Sequence, residues 1–300
     1  DDAGVVKLNA STQLAISTDS HVVKPLFFPG GDIGRLAVCG TVNDVAMMGA
    51  TPLYLTVGFI LEEGLEIGLL ERVIESMQVT AVTANIQIVA GDTKVVEHGK
   101  ADGIYINTTG VGLMLPATDI SGANARPGDV VIVSGTLGDH GIAVLSARGE
   151  LGLETDIQSD VAPLNKMILA ILEATDAVHV LRDPTRGGLA TTLNEIAKQS
   201  GVGVLLDEAA LPIRPQVRAA CEMLGFDPLM IANEGKVVAI VPEAAADTVL
   251  RVMRQSDYGQ EAAVIGRIVA EPAGRVLLEN PFGGKRIVDM LMGEILPRIC

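Results

Sequence analysis

Three aspartates in the first hundred residues, Asp19, Asp44 and Asp92, stand beside residue types suited to phosphate chemistry. Asp19 closes Ser17-Thr18-Asp19, Asn43-Asp44 interrupts the apolar series Val42, Val45, Ala46, Met47 and Met48, and Asp92 lies in Gly91-Asp92-Thr93-Lys94. An unpaired carboxylate in an apolar helix is costly unless a cation meets it. Carboxylates combined with phosphate oxygens are the usual surroundings of Mg²⁺. In the Gly-Asp-Thr-Lys run glycine admits close backbone approach, threonine donates and lysine faces phosphate oxygens. The expectation is therefore that Asp19, Asp44 and Asp92 together hold Mg²⁺ for a nucleotide that Asn43, Gly91 and Thr93 also touch.

Further along, Asp183-Pro184-Thr185-Arg186-Gly187-Gly188 supplies a hydroxyl, a guanidinium and open backbone at a helix start, which makes an anion site. Gly135 to Gly141 also enters a helix, but it matches neither common phosphate-loop pattern. His140 within it reads equally as a loop hydrogen-bond donor and as a site residue. Glu234, in Asn233-Glu234-Gly235-Lys236, reads on its own as a solvated turn carboxylate. At the far end Pro297-Arg298-Ile299-Cys300 puts a thiol on the last residue, where it is either incidental or a carrier that visits more than one site. Gly293 has the backbone freedom of a hinge, and Pro297 keeps the approach extended.

The elements that must position these residues follow from the periodicity. Leu8 to Ser17 reads as a strand that delivers Asp19 into a loop. Asp32 reads as the N-cap of a helix to about Met48. A strand over Pro52 to Ile60 and a helix over Gly64 to Asn85, with Ile67, Leu70, Ile74, Met77 and Ala81 on its inner face, lead to a buried strand Ile86 to Ala90 ending at Gly91. Gly103 to Met114 is a further strand. The turn-rich segment from Pro116 to Gly128 reads as a linker, which gives two α/β domains, 1–117 and 118–300, the second ending in a mobile tail from about 293. In the second domain, strands at about 129–134, 177–181, 202–207, 237–241 and 263–268 alternate with helices.

Composition bounds the function. The chain has 300 residues, 48% of them hydrophobic, and a net charge of −15 with no basic run, so nucleic acid is excluded as a partner and nucleotide needs a metal or local cations. No apolar run reaches the length of a membrane span. Three cysteines are too few for a disulfide framework, which points to a reducing cytoplasm, and Cys39 and Cys221 read as core residues. The chain has no initiator Met and enters almost at once upon a strand, so a preceding segment is expected.

Taken in order, Ser-Thr-Asp, Asn-Asp, Gly-Asp-Thr, Ser-Gly-Thr-Leu-Gly-Asp-His-Gly, Asp-Pro-Thr-Arg-Gly-Gly, Ala-Asn-Glu-Gly-Lys and terminal Pro-Arg-Ile-Cys resemble the HypE family of hydrogenase-maturation carbamoyl dehydratases, within the aminoimidazole ribonucleotide synthetase-like ATP-binding superfamily. The resemblance implies an α+β fold of two α/β domains whose N-terminal domains pair in a homodimeric barrel. It implies ATP and Mg²⁺, with Asp183, Thr185, Arg186 and Gly187 among the nucleotide contacts. A HypF-type carbamoyltransferase would load Cys300, the protein would dehydrate the carbamoyl group to a thiocyanate, and an iron-carrying HypC–HypD-type scaffold would receive cyanide for a nickel-iron hydrogenase. Lys94 would stabilise developing charge, Glu234 would act as the base and Asp183 would orient. Two rivals remain: a selenophosphate synthetase-like enzyme, which would lack the terminal cysteine, and a nucleotide-gated binding protein with a docking tail. A glycine-rich segment that such proteins carry ahead of the first strand is missing.

Overall fold

The computed structural model describes residues 1–116, 118–149, 155–291, 293 and 299–300. The first domain runs β1 (Gly4–Lys7), β2 (Gln13–His21), β3 (Phe27–Phe28), β4 (Gly31–Asp32), α1 (Ile33–Met47), β5 (Ala50–Glu62), α2 (Ile67–Ala84), β6 (Gln87–Val96) and β7 (Ile104–Met114). Its main sheet has the order β1-β2-β7-β5-β6. Asp32 caps α1 as its sequence predicts, accepting from the backbone N–H groups of Gly34 and Arg35. Helix α1 lies directly on one sheet face because that face is lined with small residues. A Cβ at Gly110 or Gly112 on β7 would strike Thr41 or Val45, so the helix comes closer than any larger residue would permit.

Two strand expectations need correction. Strand β2 continues through His21 because its partner β7 pairs with it as far as Ile106, so Asp19 sits inside the sheet and not in a loop. Strand β6 is not a buried strand ending at Gly91. It is an exposed edge that runs to Val96, paired only with β5, and Gly91-Asp92-Thr93-Lys94 is part of it. The inner face of α2 is also rotated from the expected one. Val73, Met77, Thr80, Ala81 and Ala84 are buried, whereas Ile67 and Ile74 are exposed. The opposite face of the sheet is uncovered and presents Ile16, Tyr54 and Ile60 to solvent.

The second domain runs β8 (Asp129–Val133), α3 (Asp139–Arg148), α4 (Asn165–Ala174), β9 (Val180–Arg182), α5 (Gly188–Ser200), β10 (Gly203–Asp207), α6 (Pro215–Leu224), β11 (Val238–Pro242), α7 (Glu243–Gln255), β12 (Ala263–Val269), β13 (Val276–Glu279) and β14 (Lys285–Val288). Its sheet has the order β14-β13-β10-β12-β8-β11-β9. The last two strands have no counterpart in the periodicity reading, since each is only four residues long and the turn Pro281-Phe282-Gly283-Gly284 between them resembles a loop. Cys39 and Cys221 are buried in α1 and α6, and the three cysteines form no disulfide. Among the described residues no helix is long and apolar enough to cross a membrane.

The two domains share a core. The cluster around α1 includes Val144 of α3, Ala232 and Ile299. Asn43 clamps the domains together: its amide nitrogen donates to the Ala162 carbonyl at 3.0 Å and its oxygen accepts from Leu164 N–H at 2.8 Å. The expected nucleotide contact at Asn43 is therefore not what this side chain does here, because both ends of its amide are engaged on backbone across the domain junction.

Candidate functional site

Gly40 is where the site begins. A Cβ there would approach the His21 ring at 3.0 Å and Asp19 Oδ2 at 3.5 Å, so glycine allows α1 to rest on β2. One helical turn later the same face carries Asp44, which is how a helix and a strand distant in sequence bring two carboxylates together. Ser17, two residues before Asp19 and on the same strand face, donates to Asp44 Oδ2 at 2.6 Å. From the second domain Asp183, at the end of β9, and Glu234 meet the same buried region, and Asp2 from the N-terminus joins them.

These groups are electrostatically crowded. Burial, with Asp183 and Asp19 nearby, raises the Asp44 carboxyl to about 10. Burial, then Asp2, raises Asp183 well above the ordinary carboxylate range, and burial, then Asp183 and Asp160, does the same to Glu234. Asp2 is raised by burial despite an ion pair of 2.6 Å with Arg182. Glu234 is only 5% exposed, which overturns its reading as a solvated turn carboxylate. One oxygen of Glu234 and one of Asp2 have no hydrogen-bond partner. Native proteins rarely leave such atoms unmatched, so the cluster is built for something that brings positive charge or hydrogen-bond donors.

The expected trio of Asp19, Asp44 and Asp92 is not assembled within one chain. In register, Asp19 lies beside Thr108, Val57 and Gly91 on the α1 side, while Asp92 lies beside Gly58 and Asn107 on the uncovered side. Three strand spacings, about 14 Å, also separate β2 from β6. Lys94 accompanies Asp92 on that outer face, paired with it at 3.3 Å, and both side chains are 73% exposed. Thr93 points to the α1 side but at the sheet edge. Among the described residues no three acidic, histidine or cysteine side chains are grouped to hold a metal by themselves. Of the expected trio, the structure brings Asp19 and Asp44 close enough to interact electrostatically.

Beside the cluster is a cavity of about 470 Å³ lined by Asp2, Asp183, Thr185, Arg186 and Gly187, with Leu291 and Gly293 on its far side. Gly187 and Gly188 have φ of 75° and 59°, and a Cβ at Gly188 would meet the carbonyls of Leu229 and Ile231, so the Thr-Arg-Gly-Gly turn depends on glycine. Helix α5 starts at this turn, and Gly187, Thr191 and Thr192 from its first turns line the cavity. Gly293 also has positive φ, 89°, a conformation that favours glycine. Pro297 and Arg298 lie outside the described residues.

The last two residues are tucked into the molecule. Ile299 forms an antiparallel bridge with Val23, Val22 N–H donates to the Cys300 carbonyl at 2.8 Å, and the buried Ile299 side chain shares a cluster with Ala232 and Cys39. Ala232 is two residues from Glu234, and the Cys39 thiol, raised to about 12 by burial, also senses the Glu234 carboxylate. Ile299 and Cys300 therefore pack on the same apolar cluster as Ala232.

Sequence reasoning missed Asp2, Asp160 and Lys236. Asp160 accepts from the Glu234 N–H at 3.1 Å and pairs with Lys236 at 3.0 Å, both side chains being buried. Lys236 was visible in the Asn-Glu-Gly-Lys run, but Asp2 and Asp160 stand in no motif and only folding brings them in.

The chain matches the AIR synthase related protein N-terminal domain over residues 1–114 and the C-terminal domain over 126–279. It is 57% identical over 288 residues to the carbamoyl dehydratase HypE of Azotobacter vinelandii, covering 96% of this chain and 84% of that one. The chain belongs to the HypE family. The Escherichia coli family member is 50% identical over 289 residues, 96% of this chain and 85% of its own. Among solved structures, a HypE bound to ATP superposes with a TM-score of 0.93 at 51% identity, covering 100% of this chain and 90% of that one. A HypE in complex with HypF gives 0.92 at 49% identity, covering 97% and 93%.

Proposed function

We propose that this protein is an ATP-dependent carbamoyl dehydratase acting on its own C-terminus. The observation that carries the reading is the seating of Ile299 and Cys300 on the apolar cluster that includes Ala232, two residues from the buried Glu234, in a chain that also gathers Asp44 and Asp183. The overall change converts Cys300–S–C(=O)NH2 and ATP into Cys300–S–C≡N, ADP and phosphate, with the carboxamide oxygen leaving in the phosphate. ATP with Mg²⁺, when bound, supplies the phosphoryl group that turns that oxygen into a leaving group. Asp19 and Asp44 would hold the cation, and Thr185, Arg186 and the α5 N-terminus would hold phosphate oxygens.

Glu234 takes one of the two nitrogen protons, and the other leaves in the hydrogen phosphate. Burial, then Asp183 and Asp160, raises the proton affinity of Glu234, so that once ionised it is a stronger proton acceptor than an ordinary carboxylate. Burial also keeps bulk water from competing with the amide. The sulfur must be loaded from outside, which we assign to a HypF-type carbamoyltransferase, with cyanide passed on to an iron-carrying HypC–HypD-type scaffold. The family member solved with HypF supports the first of these assignments.

Lys94 and Asp92 enter through a second copy. They lie on the uncovered sheet face, where exposed Ile16, Tyr54 and Ile60 invite a twin sheet. Closing two such sheets into a barrel would let Lys94 of one protomer serve the cleft of its partner. The decisive experiment is intact mass of the chain after incubation with the carbamoyltransferase and carbamoyl phosphate. Without ATP the carbamoyl adduct should persist, and with Mg-ATP it should lose one water. An adduct that ATP leaves unchanged overturns the function, and no adduct at all on Cys300 removes the carrier role.

A further inference from the structure

The geometry points to His140 as the residue that seats the terminal cysteine, holding the Ile299 carbonyl so that the thiol of Cys300 is presented to the buried layer. This inference rests on the carrier role of Cys300. His140 is fully buried in the first turn of α3, with Nε2 2.8 Å from the Ile299 carbonyl oxygen and Nδ1 2.8 Å from Ser159 Oγ.

The protonation pattern follows from those partners. A carbonyl can only accept, so Nε2 must carry a proton. Burial lowers the imidazole's proton affinity, so the ring is neutral and Nδ1 accepts from the Ser159 hydroxyl. Ser159 Oγ in turn accepts from Val161 N–H at 3.1 Å. The chain Val161, Ser159, His140, Ile299 thus has one consistent set of roles: the Ile299 carbonyl requires the Nε2–H tautomer, and the Ser159 hydroxyl satisfies Nδ1. The Phe28 ring packs edge-on against the imidazole, centroids 5.4 Å apart, and fixes its plane.

The latch is also mechanically tied to the base. Asn233 Oδ1 accepts from Gly138 N–H at 2.7 Å, and Gly141 N–H donates to the Ala232 carbonyl at 3.2 Å. The start of α3 and the Asn-Glu-Gly-Lys turn therefore move as one unit, so a tail held by His140 is held at a fixed place relative to Glu234. From the first domain Val22 and Val23 grip the same two residues through backbone alone. The His140 contact is made by a side chain, so a substitution can remove it.

The test compares His140→Gln, which keeps a donor near Nε2, with His140→Leu, which fills the space without one. The readouts are the alkylation rate of Cys300 in native protein, where Cys39 and Cys221 are buried, and single-turnover conversion of preloaded carbamoyl adduct. With Leu, alkylation should rise and conversion fall by about tenfold, the worth of one buried hydrogen bond, while the Gln variant stays near wild type. Wild-type behaviour of the Leu variant, or identical behaviour of Gln and Leu, overturns the assignment. Should the Leu variant fail to fold, Ser159→Ala decides: loss of the Nδ1 partner that anchors the ring should raise alkylation in the same direction, and an unchanged rate overturns the latch. If wild-type protein never converts its adduct, the carrier reading fails, and the alkylation rates still judge His140.

Discussion

Replacing Asp44 by Asn should make the protein more stable and unable to bind Mg-ATP. The carboxyl at position 44 is raised from 3.8 to about 10 by burial and by Asp183 and Asp19. In the unfolded chain it ionises near 4, so between about pH 4 and 10 the unfolded state releases a proton that the folded state keeps. Stability therefore falls as pH rises through that window, by at most about 1.4 kcal/mol per pH unit. At pH 7 the accumulated cost is about 4 kcal/mol, part of which belongs to the coupled Asp183 and Glu234, so the amide recovers about 2–3 kcal/mol. Asn keeps an oxygen to accept from Ser17, so the packing survives. The assay is thermal and urea unfolding at pH 6, 7 and 8, with nucleotide binding by calorimetry. The variant should melt about 5 °C higher at pH 7, show a flatter stability profile and lose Mg-ATP affinity. A variant that is less stable, or that retains the wild-type pH slope, would refute the electrostatic account. Retained affinity for Mg-ATP would instead remove Asp44 from the cation site.

Glu234→Gln should bind ATP and accept carbamoyl on Cys300 yet stall before thiocyanate, losing at least about a hundredfold in single-turnover rate, the usual worth of a general base; normal thiocyanate by intact mass would end its assignment. Lys94→Ala and Glu234→Gln, each inactive alone, should recover about a quarter of wild-type activity when mixed in equal amounts and re-paired, because about half of the dimers are then mixed and one of the two clefts in each carries both native groups; no recovery places both residues in one chain's cleft. Mg-ATP should slow alkylation of Cys300, reported by mass of the native protein, to the extent that nucleotide binds the seated tail better than a released one; equal rates at saturating nucleotide would leave the tail insensitive to the site.

The linear sequence determined the parts whose chemistry is local. Asp32 as a helix cap, Gly187-Gly188 as the turn that opens a helix and the burial of Cys39 follow from neighbours a few residues away, and the ordered motifs were enough to indicate the family. Strand ends were less legible. β2 passes Ser17 and β6 passes Gly91 because a strand lasts as long as its partner offers hydrogen bonds, and β7 and β5 are far away in sequence. Which carboxylates meet was decided by the tertiary structure alone. Asp92 has the more suggestive surroundings, yet alternation along a strand turns it away from Asp19, while Asp2, Asp160 and Asp183 arrive from three separate segments. Burial made the same kind of decision for Glu234 and His140, since the sequence gives each the look of a solvent-facing turn residue. Only when the second domain and the last two residues close over them do they lose water, and that loss raises the proton affinity of Glu234 and keeps His140 neutral.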